Sequence, residues 1–295
     1  MMSNKVSPQF SIVIPTFNHG HLIRKCLDSL LDQTFTNWEA IIVNNFSSDN
    51  TIQVIESYND PRFKLINFSN KGIIAASRNV GIKNANAEWI CFLDSDDWWY
   101  PEKLLNCCKY LKDYDLIYHN LDKYSTESNE ILELVKGAGS KNNYYDLLYF
   151  GNRIPNSSVV VKKELIIKVG GLLEDIKTVA IEDYILWVNI SKISNKFLFL
   201  NSSLGGYLIH NNISIDLNKM IAKEIYFIKK YIAQTNQNSI LTIRYYLWAR
   251  KFLLQDNKTL SVEFFKKSIL AGSVSLRPLL YKLKSIFYLF YLTIK

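Results

Sequence analysis

The chain has 295 residues, 48% hydrophobic and 21% charged, with a mean hydropathy of −0.03, which excludes a disordered or low-complexity protein. No apolar run reaches the roughly 20 residues needed to span a bilayer and no signal-like apolar segment follows Met1-Met2-Ser3-Asn4-Lys5, so the expected location is the cytoplasm. The net charge of +8 sits at one end: residues 1–243 hold 25 Lys and Arg against 25 Asp and Glu, and residues 244–295 hold 10 against 2, a pattern that argues against nucleic acid as a partner.

In chain order, residues 10–15 read as a buried strand, and Leu22, Ile23, Cys26, Leu27, Leu30 and Leu31 recur at helical spacing behind it. Strands follow at residues 39–43, 63–66 and 89–93, with helices at 51–58 and 73–83 between them. Continuous apolar strands alternating with helices predict an α/β fold with a mostly parallel sheet covered on both faces. Beyond Asp115 the pattern loosens, with short strands at 116–121 and 158–161 and a helix at 163–169. From about Leu217 onward the chain reads as helical. The predicted division is a domain over residues 1–215 and a basic helical region over 216–295. Cys26, Cys91, Cys107 and Cys108 lack metal-ligand spacing and are expected to be reduced thiols without a catalytic task.

Ligands of such sheets bind beyond the carboxyl ends of the strands. There the sequence places Pro15-Thr16-Phe17-Asn18, Asn44 to Asp49, Asn67 to Gly72, and Asp94-Ser95-Asp96-Asp97, all polar. Three carboxylates at a strand end call for a counter-charge, and oxygen ligands suit Mg²⁺ or Mn²⁺, which keep positions for waters and substrate phosphates. The other reading of Asp94 to Asp97 is a solvated turn capping the helix that begins near Pro101.

Four stretches in register resemble the inverting glycosyltransferases of family 2, of the bacterial surface-glycan type: residues 11–18, Ser77-Arg78-Asn79-Val80-Gly81, residues 92–97, and Ile181-Glu182-Asp183-Tyr184-Ile185-Leu186-Trp187. The resemblance covers about residues 9–215 and implies the nucleotide-sugar-binding GT-A fold. It further implies that Asp94 faces the ribose, that Asp96 holds the metal, and that Ser95, Pro15, Thr16, Phe17, Asn18, Asn45, Arg78 and Asn79 contribute to donor binding. A guanidinium at Arg78 suits a diphosphate because it donates bidentately and stays charged. Glu182-Asp183 matches the catalytic acidic pair, with Asp183 taking the proton of the acceptor hydroxyl, and His210 falls where related enzymes place a histidine that reaches metal or diphosphate.

Asp97 reads as the cap of the following turn or as a second metal ligand. Trp98 and Trp99 are candidates for stacking on a sugar face or for core packing. His19 and His21, in the first loop, read as solvated or as contacts to phosphate, and His119 reads as strand content. The chain departs from the family where Asn44-Asn45 replaces an Asp-Asp or Asp-Asn pair near the nucleobase, which loosens the expectation of a UDP-sugar without removing it. A nucleotidyltransferase would want a glycine-rich basic loop after the first strand, and residues 16–20 have none. A non-catalytic basic adaptor would spread its charge over the body.

Residues 275–295 carry Leu279, Leu283, Ile286, Phe287, Phe290 and Ile294 on one helical stripe, beside Arg277, Lys282, Lys284 and Lys295. Such a segment either lies on an anionic membrane or packs its stripe on the domain. The membrane reading, with the resemblance, makes the acceptor a glycan or lipid-linked glycan and puts the enzyme on the inner face of the cell membrane.

Overall fold

A computed structural model describes residues 7–126, 130–209, 216–273 and 275–294. It divides into two units, Met1–Asn143 with Arg153–Ile215, and Tyr144–Asn152 with Asp216–Lys295.

The first unit is built on β1 (Phe10–Thr16) and β2 (Trp38–Asn44), strands in which every residue is buried because both faces of the sheet are covered. They pair in parallel with each other and with β3 (Phe63–Asn67) and β4 (Trp89–Phe92), in the order β3-β2-β1-β4. Helix α1 (Ile23–Leu31) buries Ile23, Cys26, Leu27 and Leu30 in this core, α2 (Thr51–Glu56) buries Val54 and Ile55, and α3 (Ile74–Asn84) supplies the third crossover. A Cβ at Gly81 would stand 2.4 Å from Val13 Cγ1, so the glycine lets α3 lie close against β1.

Beyond β4 the sheet is mixed rather than parallel. After the two-residue β5 (Trp98–Trp99) and α4 (Lys103–Cys108) come β6 (Leu116–Ser125), β7 (Ile131–Val135), α5 (Asn143–Phe150), β8 (Val160–Lys162), α6 (Lys163–Lys168), α7 (Glu182–Ser191) and β9 (Phe197–Ile209). Strand β8 runs antiparallel to both β4 and β6, β7 forms an antiparallel hairpin with β6, and β9 returns parallel to β6 and carries β5 on its other edge. A parallel neighbour needs a crossover segment, which the βα repeats of the first half provide and α7 provides again for β9.

The second unit holds α5 from Tyr144 onward together with α8 (Leu217–Tyr231), α9 (Gln234–Leu254), α10 (Lys258–Leu270) and α11 (Leu276–Ile294). Asp216 caps α8 by accepting from the Asn218 and Lys219 N–H groups, and Asn257 caps α10 through the Leu260 N–H. Tyr246, Trp248, Ala249, Phe252, Phe264 and Phe265 form its core. Among the described residues no helix is long and apolar enough to cross a membrane.

Candidate active site

The strand ends predicted to converge do so through side-chain amides. Asn44, wholly buried, donates from Nδ2 to Asn67 Oδ1 at 2.7 Å and accepts at Oδ1 from the Ser47 hydroxyl at 2.6 Å. The Ser47 hydroxyl in turn accepts the Asn18 N–H at 2.9 Å, and Asn18 Oδ1 accepts the Ser48 N–H at 2.8 Å. A carboxylate at position 44 has no proton to give Asn67, so this network explains the amide that stands where the family pattern favours an acid. Asn45 likewise serves the loops, its Oδ1 accepting the Asn70 N–H at 3.0 Å.

Asn18 (φ 52°) and Phe46 (φ 53°), on adjoining loops of this cradle, have left-handed backbones. Asparagine tolerates that region and a bulky aromatic does not, so Phe46 is a strained position. Its ring is 61% exposed and that of Phe17, on the neighbouring loop, 52%. The sequence reading overlooked Phe46, although an aromatic in a run of turn-forming Asn, Ser and Asp was a visible signal. Thr16 lies at the end of β1, buried, and its Oγ1 has no hydrogen-bond partner among the described residues.

The carboxylates after β4 have different environments. Asp94 is partly exposed and accepts at Oδ1 from Arg78 Nη2 at 2.6 Å and from Asn156 Nδ2 at 3.2 Å. Ser95 is buried, with Oγ 2.7 Å from His19 Nδ1, so His19 joins the site rather than standing in solvent. Asp96 is partly exposed. Asp97 does not cap α4: it is buried, accepts from the Ser157 hydroxyl at 2.5 Å and from the Leu208 N–H at 3.2 Å, and so pins β9 to the loop. Burial, then the charges of Asp96 and Asp94, push the Asp97 carboxyl well above the usual carboxylate range.

Ser157 is the hub that sequence reasoning missed. It sits in a single 3₁₀ turn, Asn156–Ser158, ahead of β8. Its hydroxyl accepts the Asp94 N–H at 3.1 Å while donating to Asp97, and its carbonyl accepts from Trp99 Nε1 at 2.7 Å. Trp99 and Trp98 are thereby core and support residues. Trp98 packs 4.9 Å from Tyr124 with Lys25 Nζ 3.2 Å from its ring centre, and Trp99 receives the buried Lys103 at 3.5 Å. His119 is buried in β6, where burial followed by the charge of Lys103 depresses its pKa to about 3.

Arg78, expected to meet a diphosphate, is itself buried, and its two Nη groups bridge the site: Nη2 reaches Asp94 and Nη1 reaches Glu182 Oε1 at 2.5 Å. Burial opposes its charge, but the Asp94 and Glu182 carboxylates outweigh it and raise the pKa. Glu182 is buried at the start of α7, and its Oε2 lacks a hydrogen-bond partner among the described residues. Next to it Asp183 is pushed up to about 7 by burial, with Glu182 adding to the rise and Arg78 opposing it. Asn79 points elsewhere. It donates to the Leu172 carbonyl at 2.9 Å and to Glu174 at 2.8 Å and accepts the Leu172 N–H, so it fastens the loop leading toward α7. His210 lies outside the described residues.

Among the described residues no three His, Cys, Asp or Glu side chains form a ready-made metal cage. The donor set nevertheless fits Mg²⁺ or Mn²⁺, which take one or two protein carboxylates and complete their shell with water and phosphate. Asp96 beside Asp94 offers such a set, and Thr16 Oγ1 at the end of β1 and Glu182 Oε2 at the start of α7 are buried oxygens without a hydrogen-bond partner among the described residues.

The family model described as Glycosyl transferase family 2 matches residues 11–160. An uncharacterized glycosyltransferase of Haemophilus influenzae is 29% identical over 180 residues, 60% of this chain and 60% of that protein. The Escherichia coli UDP-Glc:alpha-D-GlcNAc-diphosphoundecaprenol beta-1,3-glucosyltransferase WfgD is 39% identical over 94 residues, 32% of this chain and 37% of its own. The chain thus spans less than two thirds of either relative. Staphylococcus aureus TarS 1-349, solved in complex with UDP-GlcNAc, superposes with a TM-score of 0.62 at 19% identity over 90% of this chain and 82% of that one, and a Pyrobaculum calidifontis mannosyltransferase in complex with GDP-Man and Mn²⁺ does so with 0.51 at 16% over 97% and 70%. The fold is that of GT-A glycosyltransferases, and the chain belongs to glycosyl transferase family 2.

Proposed function

We propose that the chain transfers a sugar from a nucleoside diphosphate sugar, a UDP-sugar by preference, to a hydroxyl of a lipid-linked glycan, with inversion at the anomeric carbon. The observation that carries this reading is the Arg78 bridge: one buried guanidinium joins Asp94 to Glu182 and so keeps Asp183 beside the carboxylate loop. Phe17 and Phe46, exposed on adjoining loops, suit a nucleobase, and Asp94 suits a ribose hydroxyl. The UDP-sugar and the diphosphoundecaprenol named for WfgD, and the UDP-GlcNAc bound to TarS, support the donor class and the lipid-linked acceptor.

In this mechanism Asp183 accepts the acceptor hydroxyl's proton as that oxygen bonds to the anomeric carbon. The bond from that carbon to the diphosphate oxygen breaks on the opposite face, and the nucleoside diphosphate leaves with the electron pair. Bound Mg²⁺ or Mn²⁺, held by Asp96 with His210 as a further ligand, would neutralise charge on the leaving phosphates. Arg78 orients Asp94, and Glu182 holds Arg78.

The test is release of nucleoside diphosphate from a panel of nucleotide sugars, with and without divalent metal. Metal-dependent hydrolysis that disappears in Asp96→Ala is expected. Failure to bind any nucleotide sugar overturns the reading.

A further inference from the structure

Helix α11 has two faces of opposite character. At about 100° per residue, Leu276, Leu279, Leu280, Leu283, Ile286 and Phe287 fall on one side, and all six are exposed, Leu276 at 78% and Phe287 at 65%. The other side is packed within the helical unit: Tyr281 lies 5.1 Å from Tyr246, Tyr288 stacks at 5.2 Å on Phe265 beneath Arg250, and Ser285 is wholly buried. An inner face already committed to α9 and α10 leaves the outer stripe without a role in folding, although it is too apolar to be an ordinary surface.

The edges of the stripe identify its occupant. Arg277 and Lys284 border it on one side and Lys282 on the other, α11 contains no acidic residue, and the +8 charge of the whole chain lies within residues 244–295. A broad apolar face bordered on both sides by cations matches the plane between headgroups and acyl chains of an anionic bilayer, where leucine and phenylalanine enter the hydrocarbon and Lys and Arg reach the phosphates. A groove in a protein partner has no need for cations on both borders. The helix does not instead span the bilayer, because it is not apolar enough to cross one and its inner face is packed against α9 and α10.

The geometry points to the outer face of α11 as a docking surface that lays the helical unit flat on an anionic membrane. The benefit of such docking, delivery to a lipid-linked acceptor, rests on the function proposed above; the docking itself does not.

The full chain is sedimented at low salt with vesicles of phosphatidylglycerol and phosphatidylcholine, and with phosphatidylcholine alone. Binding to the anionic vesicles only is expected, weakened by salt and weakened about tenfold or more by each of Leu283→Glu and Phe287→Glu, which alter exposed side chains. Unchanged helical circular dichroism and unchanged hydrolysis of a UDP-sugar in these variants separate loss of docking from misfolding and from failure of the transfer reading. The inference is overturned if the wild-type chain ignores anionic vesicles. It is equally overturned if sedimentation velocity shows a dimer that Leu283→Glu dissociates, since a second copy then covers the stripe.

Discussion

Arg78 donates to Glu182 at 2.5 Å where neither side chain is more than 5% exposed, and the same guanidinium reaches Asp94. Removing one partner of a buried pair leaves a charge in a low-dielectric setting, which typically costs about 3–5 kcal/mol. Arg78→Met is therefore expected to lower the urea midpoint sharply. Arg78→Lys should also fail to restore activity, because a single ammonium cannot present the two nitrogens that reach two carboxylates.

Asp183, with its pKa near 7, is protonated at mildly acid pH and becomes a base as pH rises. The sign for catalysis is positive: kcat/KM for the acceptor should climb through about pH 7 and level off above it. The sign for stability is opposite. Between its ordinary value of 3.8 and 7 the folded chain holds a proton that the unfolded chain has released, so this residue's contribution to stability falls as pH rises through that window. Asp183→Asn should lower turnover by about 10²- to 10⁴-fold, leave donor binding intact, and flatten the pH dependence of the unfolding midpoint above pH 4.

Ser157→Ala removes the acceptor of the Asp94 N–H and the donor to Asp97 in one step. Stability should drop by about 1–3 kcal/mol in urea denaturation. The KM for the donor should rise as the carboxylate loop loses its register, a change that titration of nucleotide binding would detect separately.

Phe46 carries an exposed ring on a left-handed backbone, which costs an L-residue roughly 1–2 kcal/mol. Phe46→Gly should therefore melt higher and bind the nucleotide sugar more weakly. Equal donor affinity in the two proteins would remove the ring from the site.

The first four strands and three helices were legible because local chemistry dictates them: apolar runs without charges, helical spacing, and turn residues between them. Helix α3 begins and ends within one residue of the range read from the sequence, and α7 starts at the acidic pair. Strand β9 was not legible. Asn201, Ser202, Ser203, Gly205 and Gly206 have little preference for extended structure, and they are strand only because β6 and β5 pair with them. Gly206 is needed there, since a Cβ would stand 2.2 Å from the Trp98 ring. The site divided along the same line. Asp94, Asp96 and Asp183 stood out as candidates because a carboxylate's chemistry is visible in its own identity. Ser157 and Asn156 act through what they touch across the fold, and a short Asn-Ser-Ser run gives no hint of that.

Asp97 accepts the Leu208 N–H, so the carboxylate loop has its last partner near the far end of the first unit. On the ribosome, Arg78 and the acidic residues after β4 emerge long before Ser157, Glu182 and Leu208 exist to receive them. A chain halted at residue 160, where the family match ends, lacks the Glu182 carboxylate that Arg78 reaches and the Leu208 N–H that Asp97 accepts. Closing the site therefore depends on contacts 104 and 111 residues apart in the chain, the kind of non-local pairing whose loop-closure entropy slows folding.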